Sequence, residues 1–242
     1  MRIASLEAGI TEVLFALGAG SSVVCRDRGS DFPAEVEGIS HVEKHDVDGI
    51  LAHRPELVID HAFADDEVVK QLKSRGANVV TVDVQSLAEV AEMIRMLGIL
   101  VEREKQAAVV VASLQKGFNE VKKKAAHLSQ RMKIYVEESP SPSIAAGRWV
   151  SEIVRLAGGV SVEPLSLDDL SGFDPDLIVL AWRAIGGKID RTVVQRREGW
   201  EHLRAVREGR VRVIDDAFLL RCGPRLSEGA RRLYGWMFET TH

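Results

Sequence analysis

Short apolar runs alternate with amphipathic segments along the first third of the chain. The runs RIASL, SVVCR, ELVID and ANVVTVDV predict strands, while TEVLFALGAG, DVDGILAHRP and DDEVVKQLKSRG predict helices. Thr11 is the expected N-cap of the first helix, and Gly18 or Gly20 is expected to end it. Strands that alternate with helices through short connections predict a parallel α/β sheet.

This alternation stops between Ser86 and Gln130, where two long helical stretches follow each other with little turn chemistry between them. It then resumes with the strands KIYVEE, DLIVLAW and VRVID and the helices WVSEIVRLAGG, LDDLSGFDP and PRLSEGARRLYGWMF. We therefore predict an α/β fold of two Rossmann-like lobes with parallel sheets, bridged by a long backbone helix. The predicted division is an N-terminal lobe at 1–85, linking helices at 86–130 and a C-terminal lobe at 131–242. Open α/β sheets bind ligands at the carboxyl ends of their strands, so a ligand cleft is expected there.

Composition and charge narrow the class of protein. The chain is 45% hydrophobic and 28% charged with a net charge of −4, which is typical of a globular protein and does not suggest a nucleic-acid partner. The start, MRIASLEAG, carries no export signal, so we expect a cytoplasmic protein on the chain as given and a periplasmic or other extracytoplasmic one if a leader was removed. Cys25 and Cys222 form no spacing pattern, and buried or half-buried thiols are expected in preference to a disulfide.

No catalytic or metal-binding constellation emerges from the motifs. GAGSSV follows a helix instead of a strand and lacks the third glycine of a dinucleotide loop, so it is interpreted as a helix end. HVEKH places two histidines four residues apart without the zinc-protease pattern, and its setting favours a loop. We expect no enzyme activity, no bound metal and no required cofactor.

Aromatic and arginine side chains recur directly after the predicted strands, and carboxyl ends of parallel strands share one edge of a sheet. Aromatic rings stack on flat ligands, and guanidinium groups bind carboxylates or carbonyls. The candidate ligand-binding residues of this kind are Arg26, Arg28, His61, Phe63, Arg148, Trp149, Trp182, Arg183, Phe218, Arg221 and Arg225.

The motifs SLEAGITEVLFALGAG, DFP, DGILAHRPELVI, EIVRLAGG and RCGPRLSEG occur in this order along the chain. Through them the sequence resembles, from about Arg2 to Phe238, the cobalamin- and ferric-siderophore-binding proteins of ABC importers. The first four are similar to successive units of that family, and RCGPRLSEG is similar to the turn of its cobalamin-binding members. The resemblance implies two lobes joined by a helix, a small metal chelate as ligand, an ABC permease as partner and a monomeric state. It also implies a ligand contact at Glu7, and transporter-docking carboxylates at Asp66 and Asp168.

Three interpretations of the ligand and its role stay open at this point. The first is a solute-binding protein for a corrinoid such as cobalamin, and the second is binding of an iron siderophore or heme. The third is a cytoplasmic corrinoid carrier or sensor without a transporter. Arg26 and Arg28 favour an anionic ligand, and Trp182 is expected to stack on its ring unless it belongs to the core.

Overall fold

A computed structural model describes residues 1–61, 66–140, 143–161, 167–183, 185 and 187–241. It divides into two compact units. The first comprises Met1–Val84, Ala88–Ser113 and Cys222–Pro224, and the second comprises Gln85–Leu87, Leu114–Arg221 and Arg225–His242. The predicted boundaries at residues 85 and 130 stay a prediction.

The first unit is built on a parallel five-stranded sheet of order β3-β2-β1-β4-β5. Its strands are β1 (Ile3–Ser5), β2 (Val23–Asp27), β3 (His41–Val42), β4 (Leu57–His61) and β5 (Val79–Val82). Its helices are α1 (Ala8–Ala16), α2 (Val47–Ala52), α3 (Asp66–Ser74) and α4 (Leu87–Leu100), of which α4 begins in the second unit. Ala4, Cys25 and Val58 lie on neighbouring strands in one buried cluster, which explains why these strands are apolar runs.

The second unit contains a mixed sheet of order β10-β9-β6-β7, with β8 also paired to β6. Its strands are β6 (Lys133–Pro140), β7 (Ser143–Ala145), β8 (Val160–Ser161), β9 (Leu177–Leu180) and β10 (Val211–Val213). The helices that lie wholly in this unit are α6 (Arg148–Leu156), α7 (Leu167–Phe173), α8 (Arg204–Arg207) and α9 (Leu226–Thr241). The predicted parallel pairing is confirmed for β6, β8, β9 and β10, and the short strand β7 adds one antiparallel pair beside β6.

The segment predicted to be helical between the sheets consists of two helices, α4 and α5 (Glu104–Ala125). They are separated at Glu102, whose φ of 55° lies in the left-handed region that no helix interior adopts. The longer helix α5 buries Ala107, Val111, Leu114, Phe118 and Val121, a spacing of four and three residues that places them on one face. Its first half belongs to the first unit and its second half to the second unit.

Most predicted elements are present, and the two cysteines are free and buried as expected. The expected N-cap of α1 is wrong: the helix begins three residues before Thr11, and Glu7 is its N-cap. Thr11 is fully buried instead. Gly18 has a φ of 74°, which confirms that this glycine ends the helix in the left-handed conformation.

Candidate functional site

The carboxyl edge of the first sheet is formed by the residues that follow β1, β2 and β4. Among the candidates, Glu7, Arg26, Arg28 and His61 belong to this edge, and Phe63 lies outside the described residues. Ser5 on β1 is level with Arg26 on β2 and with Ile59 on β4, so the loops after these strands emerge side by side.

Glu7 has a structural function at this edge. Its Oε2 accepts a hydrogen bond of 2.9 Å from the backbone N–H of Ile10, which pairs one of the donors that every helix N-terminus leaves open. The side chain is half-buried, and its acceptor oxygen is directed at the helix that it caps. The expected ligand contact of Glu7 stays a prediction.

A chain of buried polar side chains fixes the loop that follows β2. The hydroxyls of Ser5 and Thr11 are 2.7 Å apart, and those of Thr11 and Ser30 are also 2.7 Å apart. Ser30 donates to the carboxylate of Asp27, which also accepts from the N–H of Gly29 at 2.9 Å. Because buried hydroxyls need partners, this chain fastens the loop to β1 and α1.

The two arginines of this loop are engaged within the first unit. The guanidinium of Arg26 donates to the carbonyls of Val36 at 3.0 Å and of Asp27 at 3.2 Å. Arg28 donates twice to one carboxylate oxygen of Glu43, at 3.1 and 2.7 Å, and both side chains are exposed. The sequence offered no neighbouring carboxylate except Asp27, so the partner of Arg28, fifteen residues away, was missed.

Asp60 lies at the end of β4 and is almost fully buried. It accepts a hydrogen bond of 2.8 Å from the N–H of His61, and the ammonium of Lys44 is 3.5 Å away. Burial raises the pKa of Asp60, while the charge of Lys44 and the two hydrogen bonds partly oppose this rise. His61 itself is half-buried at the edge of the sheet.

Phe32 is an aromatic residue of this edge that the sequence reasoning did not select. It lies in the loop after β2, and 44% of its surface is exposed, which is unusual for a phenylalanine. It is the middle residue of the DFP motif. The signal that identifies it is the position of an aromatic residue five positions after a strand end.

The carboxyl edge of the second sheet carries Trp182 after β9, but its side chain belongs to the core. Its exposed fraction is 9%, and its indole N–H donates to Oε1 of Glu137 at 2.8 Å. Glu137 is completely buried and is bound by Arg197 through two hydrogen bonds of 2.6 and 2.9 Å. The guanidinium of Arg197 lies over the ring of Trp200 at 4.4 Å and near that of Trp182 at 5.8 Å. This surrounding favours the core role of Trp182 over stacking on a ligand.

Trp149 is also a core residue. It is 8% exposed, and its indole N–H donates to the carbonyl of Leu219 at 2.8 Å. Arg148 beside it is exposed, at the first position of α6. Arg183 pairs with Glu138 at 3.4 Å and also donates to the carbonyl of Leu220.

Phe218, Arg221 and Arg225 lie in the segment that connects β10 to α9. Phe218 is half-buried, and the guanidinium groups of Arg225 and Arg232 lie 5.4 and 4.0 Å from its ring centre. Arg221 is buried and pairs with Asp216. The structure therefore joins Phe218 and Arg225 in one cluster and gives Arg221 a partner of its own.

The turn Cys222–Pro224 belongs to the first unit, where it packs on α1. A Cβ on Gly9 would lie 3.0 Å from the backbone nitrogen of Cys222 and 3.1 Å from its oxygen. Gly223 lies near the carbonyl of Gly9 and the carboxylate of Glu12, which is buried. The two arginines on either side of this turn thus border a segment packed on a helix N-terminus.

The described residues contain no group of three or more His, Cys, Asp or Glu side chains that could hold a metal ion. Within the same part of the chain, every helix is too short or too polar to cross a lipid bilayer.

Comparison with known proteins identifies the family to which this architecture belongs. The family model described as "Periplasmic binding protein" matches residues 3–218. The chain belongs to the periplasmic binding protein family. Membership confirms the predicted resemblance and the expectation that the chain is a binding protein and not an enzyme.

Individual periplasmic binding proteins match over nearly the whole chain. The ABC transporter substrate-binding lipoprotein YvrC of Bacillus subtilis is 30% identical over 258 positions, which cover 99% of this chain and 81% of YvrC. The vitamin B12-binding protein of Pectobacterium atrosepticum is 22% identical and covers 98% of this chain and 88% of its own length. The periplasmic heme-binding protein RhuT of Roseiflexus has the same fold, with a TM-score of 0.87, 22% identity and coverage of 100% of this chain and 99% of RhuT. These similarities confirm the predicted fold class.

In this periplasmic binding protein the two expected docking carboxylates occupy helices. Asp66 is the first residue of α3, and Asp168 is the second residue of α7. Their side chains lie outside the described residues, and their docking role stays a prediction.

Proposed function

We propose that this chain is the solute-binding component of an ABC importer and that it binds a cobalamin-like corrinoid at the carboxyl edges of its sheets. The family, the ABC-transporter relative and the vitamin B12-binding relative support this assignment. The same relatives support a location outside the cytoplasm, next to a membrane permease, and they give no support to the cytoplasmic alternative.

The choice of a corrinoid depends on one observation: several cationic groups at these edges have acidic partners within their own unit. Arg28 pairs with Glu43, Lys44 with Asp60, and Arg221 with Asp216. A guanidinium already bound to a carboxylate gains little from a second anion, because the first has neutralised most of its charge. A corrinoid whose side chains are amides suits such a lining, since amides exchange hydrogen bonds without bringing charge.

This observation revises the charge preference expected from Arg26 and Arg28. Both guanidinium groups already donate hydrogen bonds within the first unit, so an anionic ligand would have to compete with these partners. Heme propionates, catecholate siderophores and corrinoid acids all bring negative charge. The proposal therefore favours the neutral ligand among the three open interpretations.

The positions of the tyrosines support the same choice. The chain has two tyrosines. Tyr135 is buried against Trp200, and Tyr234 lies in α9 against Phe238. Neither ring is offered at a carboxyl edge, so phenolate ligation of ferric iron has no candidate there. Phe32, in contrast, offers an exposed aromatic face of the kind that packs on a flat macrocycle.

The test is a direct comparison of ligands on the full chain. Calorimetric titrations use cyanocobalamin, a corrinoid acid with free carboxylates, hemin and a ferric catecholate, and visible spectra identify what remains bound after gel filtration. We expect one-to-one binding of cobalamin, weaker binding of the corrinoid acid, and no stable complex with the other two. Stoichiometric binding of hemin or the catecholate without cobalamin would overturn the choice of ligand.

A second experiment tests the role in transport separately. Membrane vesicles containing the cognate permease, taken from the genomic neighbourhood of the gene, should hydrolyse ATP faster when loaded protein is added. The variants Asp66→Ala and Asp168→Ala should reduce this stimulation while leaving cobalamin affinity unchanged. Unreduced stimulation in the double variant would remove both aspartates from the docking surface, and a chain that binds cobalamin without stimulating any permease would favour the carrier interpretation.

A further inference from the structure

The second unit carries a dense cationic surface at the amino ends of its strands, which is the edge opposite the proposed ligand edge. The stretch from the last turn of α5 to the start of β6, KKKAAHLSQRMK at 122–133, contains five cations and no carboxylate. Lys122, Lys123, Lys124, Arg131 and Lys133 are all exposed. The whole chain, in contrast, has a net charge of −4, so the charge is strongly asymmetric.

Backbone contacts place this stretch firmly at one edge. The N–H of Val160, which begins β8, donates to the carbonyl of Met132 at 2.8 Å. A Cβ on Gly158, just after α6, would lie 2.7 Å from Leu128 and 3.2 Å from Ala125. The end of α5 and the start of β6 are therefore packed together beside the end of α6.

The residues before β9 and β10 extend the same surface. Arg204 pairs with Asp174 at 3.3 Å and with Asp176 at 2.7 Å, and Arg210 pairs with Glu208 at 2.8 Å. The N–H of Lys133 donates to Asp176, which joins this group to the start of β6.

A further arginine of this surface, Arg207, lies beside these carboxylates. The hydrogen bond from the N–H of Arg204 lowers the pKa of Asp174, and the charges of Arg204, Arg207 and Lys133 lower it further, so Arg207 lies close by. The three carboxylates are engaged with Arg204 and Arg210. In the described part of the chain, Arg207, Arg131 and the three lysines of α5 have no ion pair.

Helix chemistry accounts for only part of this cluster. Lys122–Lys124 lie in the last turn of α5, where cations offset the negative end of the helix dipole. Arg131 and Lys133 lie beyond the helix, and Arg207 ends another one. The dipole effect also fades within one turn, so it does not require a surface that extends from α5 to the start of β10.

We propose that this cationic surface, formed by Lys122–Lys124, Arg131, Lys133 and Arg207, binds the anionic phospholipid headgroups of the membrane. The proposal rests on the proposed function, which places the protein outside the cytoplasm beside a membrane permease. A clustered lysine or arginine within a Debye length of an anionic bilayer contributes about fivefold in affinity. Such contacts would hold the receptor near the bilayer between encounters with its permease.

Lipid suits this surface better than nucleic acid does. Single-stranded nucleic acid is bound by cations interleaved with exposed aromatic faces. The stretch 122–133 has no aromatic residue, and the nearby ring of Phe173 is half-buried beneath the ammonium of Lys133 at 5.6 Å. A nucleic-acid partner would also require a cytoplasmic protein, contrary to the proposed location.

The experiment is sedimentation of the ligand-free full chain with lipid vesicles. Vesicles containing phosphatidylglycerol are compared with pure phosphatidylcholine, at low salt and at ~0.5 M salt, where charges are screened within a few ångströms. The test variant combines Lys122→Gln, Lys123→Gln and Lys124→Gln. Its matched control combines Lys70→Gln, Lys73→Gln and Lys105→Gln, which removes the same charge from exposed positions of the first unit.

We expect salt-sensitive binding to the anionic vesicles alone, reduced on the order of a hundredfold in the test variant and about twofold or less in the control. Equal loss in both variants, binding to phosphatidylcholine, or tighter binding to a DNA oligonucleotide than to vesicles would each overturn the proposal. Cobalamin titrations of the same samples keep the two proposals apart: failure to bind cobalamin with intact vesicle binding contradicts the ligand assignment only, and the reverse contradicts the membrane surface only.

Discussion

Nε of Arg221 lies 3.2 Å from Oδ2 of Asp216 inside the second unit, and the two side chains are only 5% and 6% exposed. Their guanidinium and carboxylate thus form an internal ion pair, which links the short 3-10 helix Asp216–Phe218 to the residue directly before the turn Cys222–Pro224. Burial raises the pKa of Asp216, while the hydrogen bond and charge of Arg221 oppose this rise. Removing one partner leaves the other without its main compensation.

The variant Arg221→Gln should lower the free energy of unfolding by about 3–5 kcal/mol, as expected when one member of a buried ion pair is removed. Arg225→Gln is the control, since Arg225 is half-buried and packs over Phe218, and it should cost under ~1 kcal/mol. Denaturant unfolding measures both. If Arg221→Gln folds normally but loses cobalamin affinity, Arg221 is a ligand contact.

The variant Glu43→Gln should increase affinity for a corrinoid acid by about tenfold, or ~1.4 kcal/mol, because it releases Arg28 from its carboxylate. Fully amidated cobalamin should bind as before. Titration of both ligands measures the difference, and adding Arg28→Gln to the same chain should abolish the gain. An equal gain for both ligands would show that the pair affects the loop and not the ligand charge.

The variant Phe32→Ala should reduce cobalamin affinity by about 1–3 kcal/mol, in the range of aromatic binding hot spots, with little effect on melting. Trp182→Ala should do the opposite, costing roughly 3–5 kcal/mol of stability, because its indole is buried in the core and bonded to Glu137. Calorimetric melting beside ligand titration separates the two. Loss of affinity without loss of stability in Trp182→Ala would show that Trp182 contacts the ligand.

The variant Asp60→Asn should stabilise the protein at neutral pH. The pKa of Asp60 is raised above its usual 3.8, so its carboxyl favours the folded state most below that pH, and this contribution is lost as the pH rises through the folded value. Asparagine keeps an acceptor for the N–H of His61 without a buried charge. Melting temperatures of the two proteins should converge near pH 4 and separate towards pH 7.

Lys44→Gln is the companion variant for Asp60. It removes the cation that favours the ionised carboxylate, so the pKa of Asp60 should rise further. The loss of stability with rising pH should therefore become larger and extend to higher pH than in the wild type. A stability difference between wild type and Asp60→Asn that does not change with pH would contradict the assignment.

The thiol of Cys25 should resist modification in the folded protein. Burial raises its pKa to about 11, with the charge of Arg2 only partly opposing this, so almost no reactive thiolate is present at pH 8. Thiol-reactive dye followed by peptide mapping should label Cys25 only after unfolding. Rapid labelling of the native chain would show that this part of the first sheet opens frequently.

The sequence predicted the elements far better than the site. Apolar runs such as ELVID and DLIVLAW predict buried parallel strands because both faces are covered, and the structure has strands there. The two-residue β3 was missed, since a strand that short has no periodicity. The site depends on partners distant in sequence, as with Trp182 and Glu137, which are 45 residues apart. A single sequence shows which strand ends carry arginine or tryptophan, but it does not show which of those groups are already paired.

Helix α5 and the turn Cys222–Pro224 determine the order in which this protein is able to fold during synthesis. Half of α5 belongs to each unit, and the turn that packs on Gly9 is encoded near the end of the chain. The ribosome must therefore release residue 224 of 242 before the first unit has all its parts. The first unit therefore completes its packing only late in synthesis, and neither unit is one continuous segment of the chain.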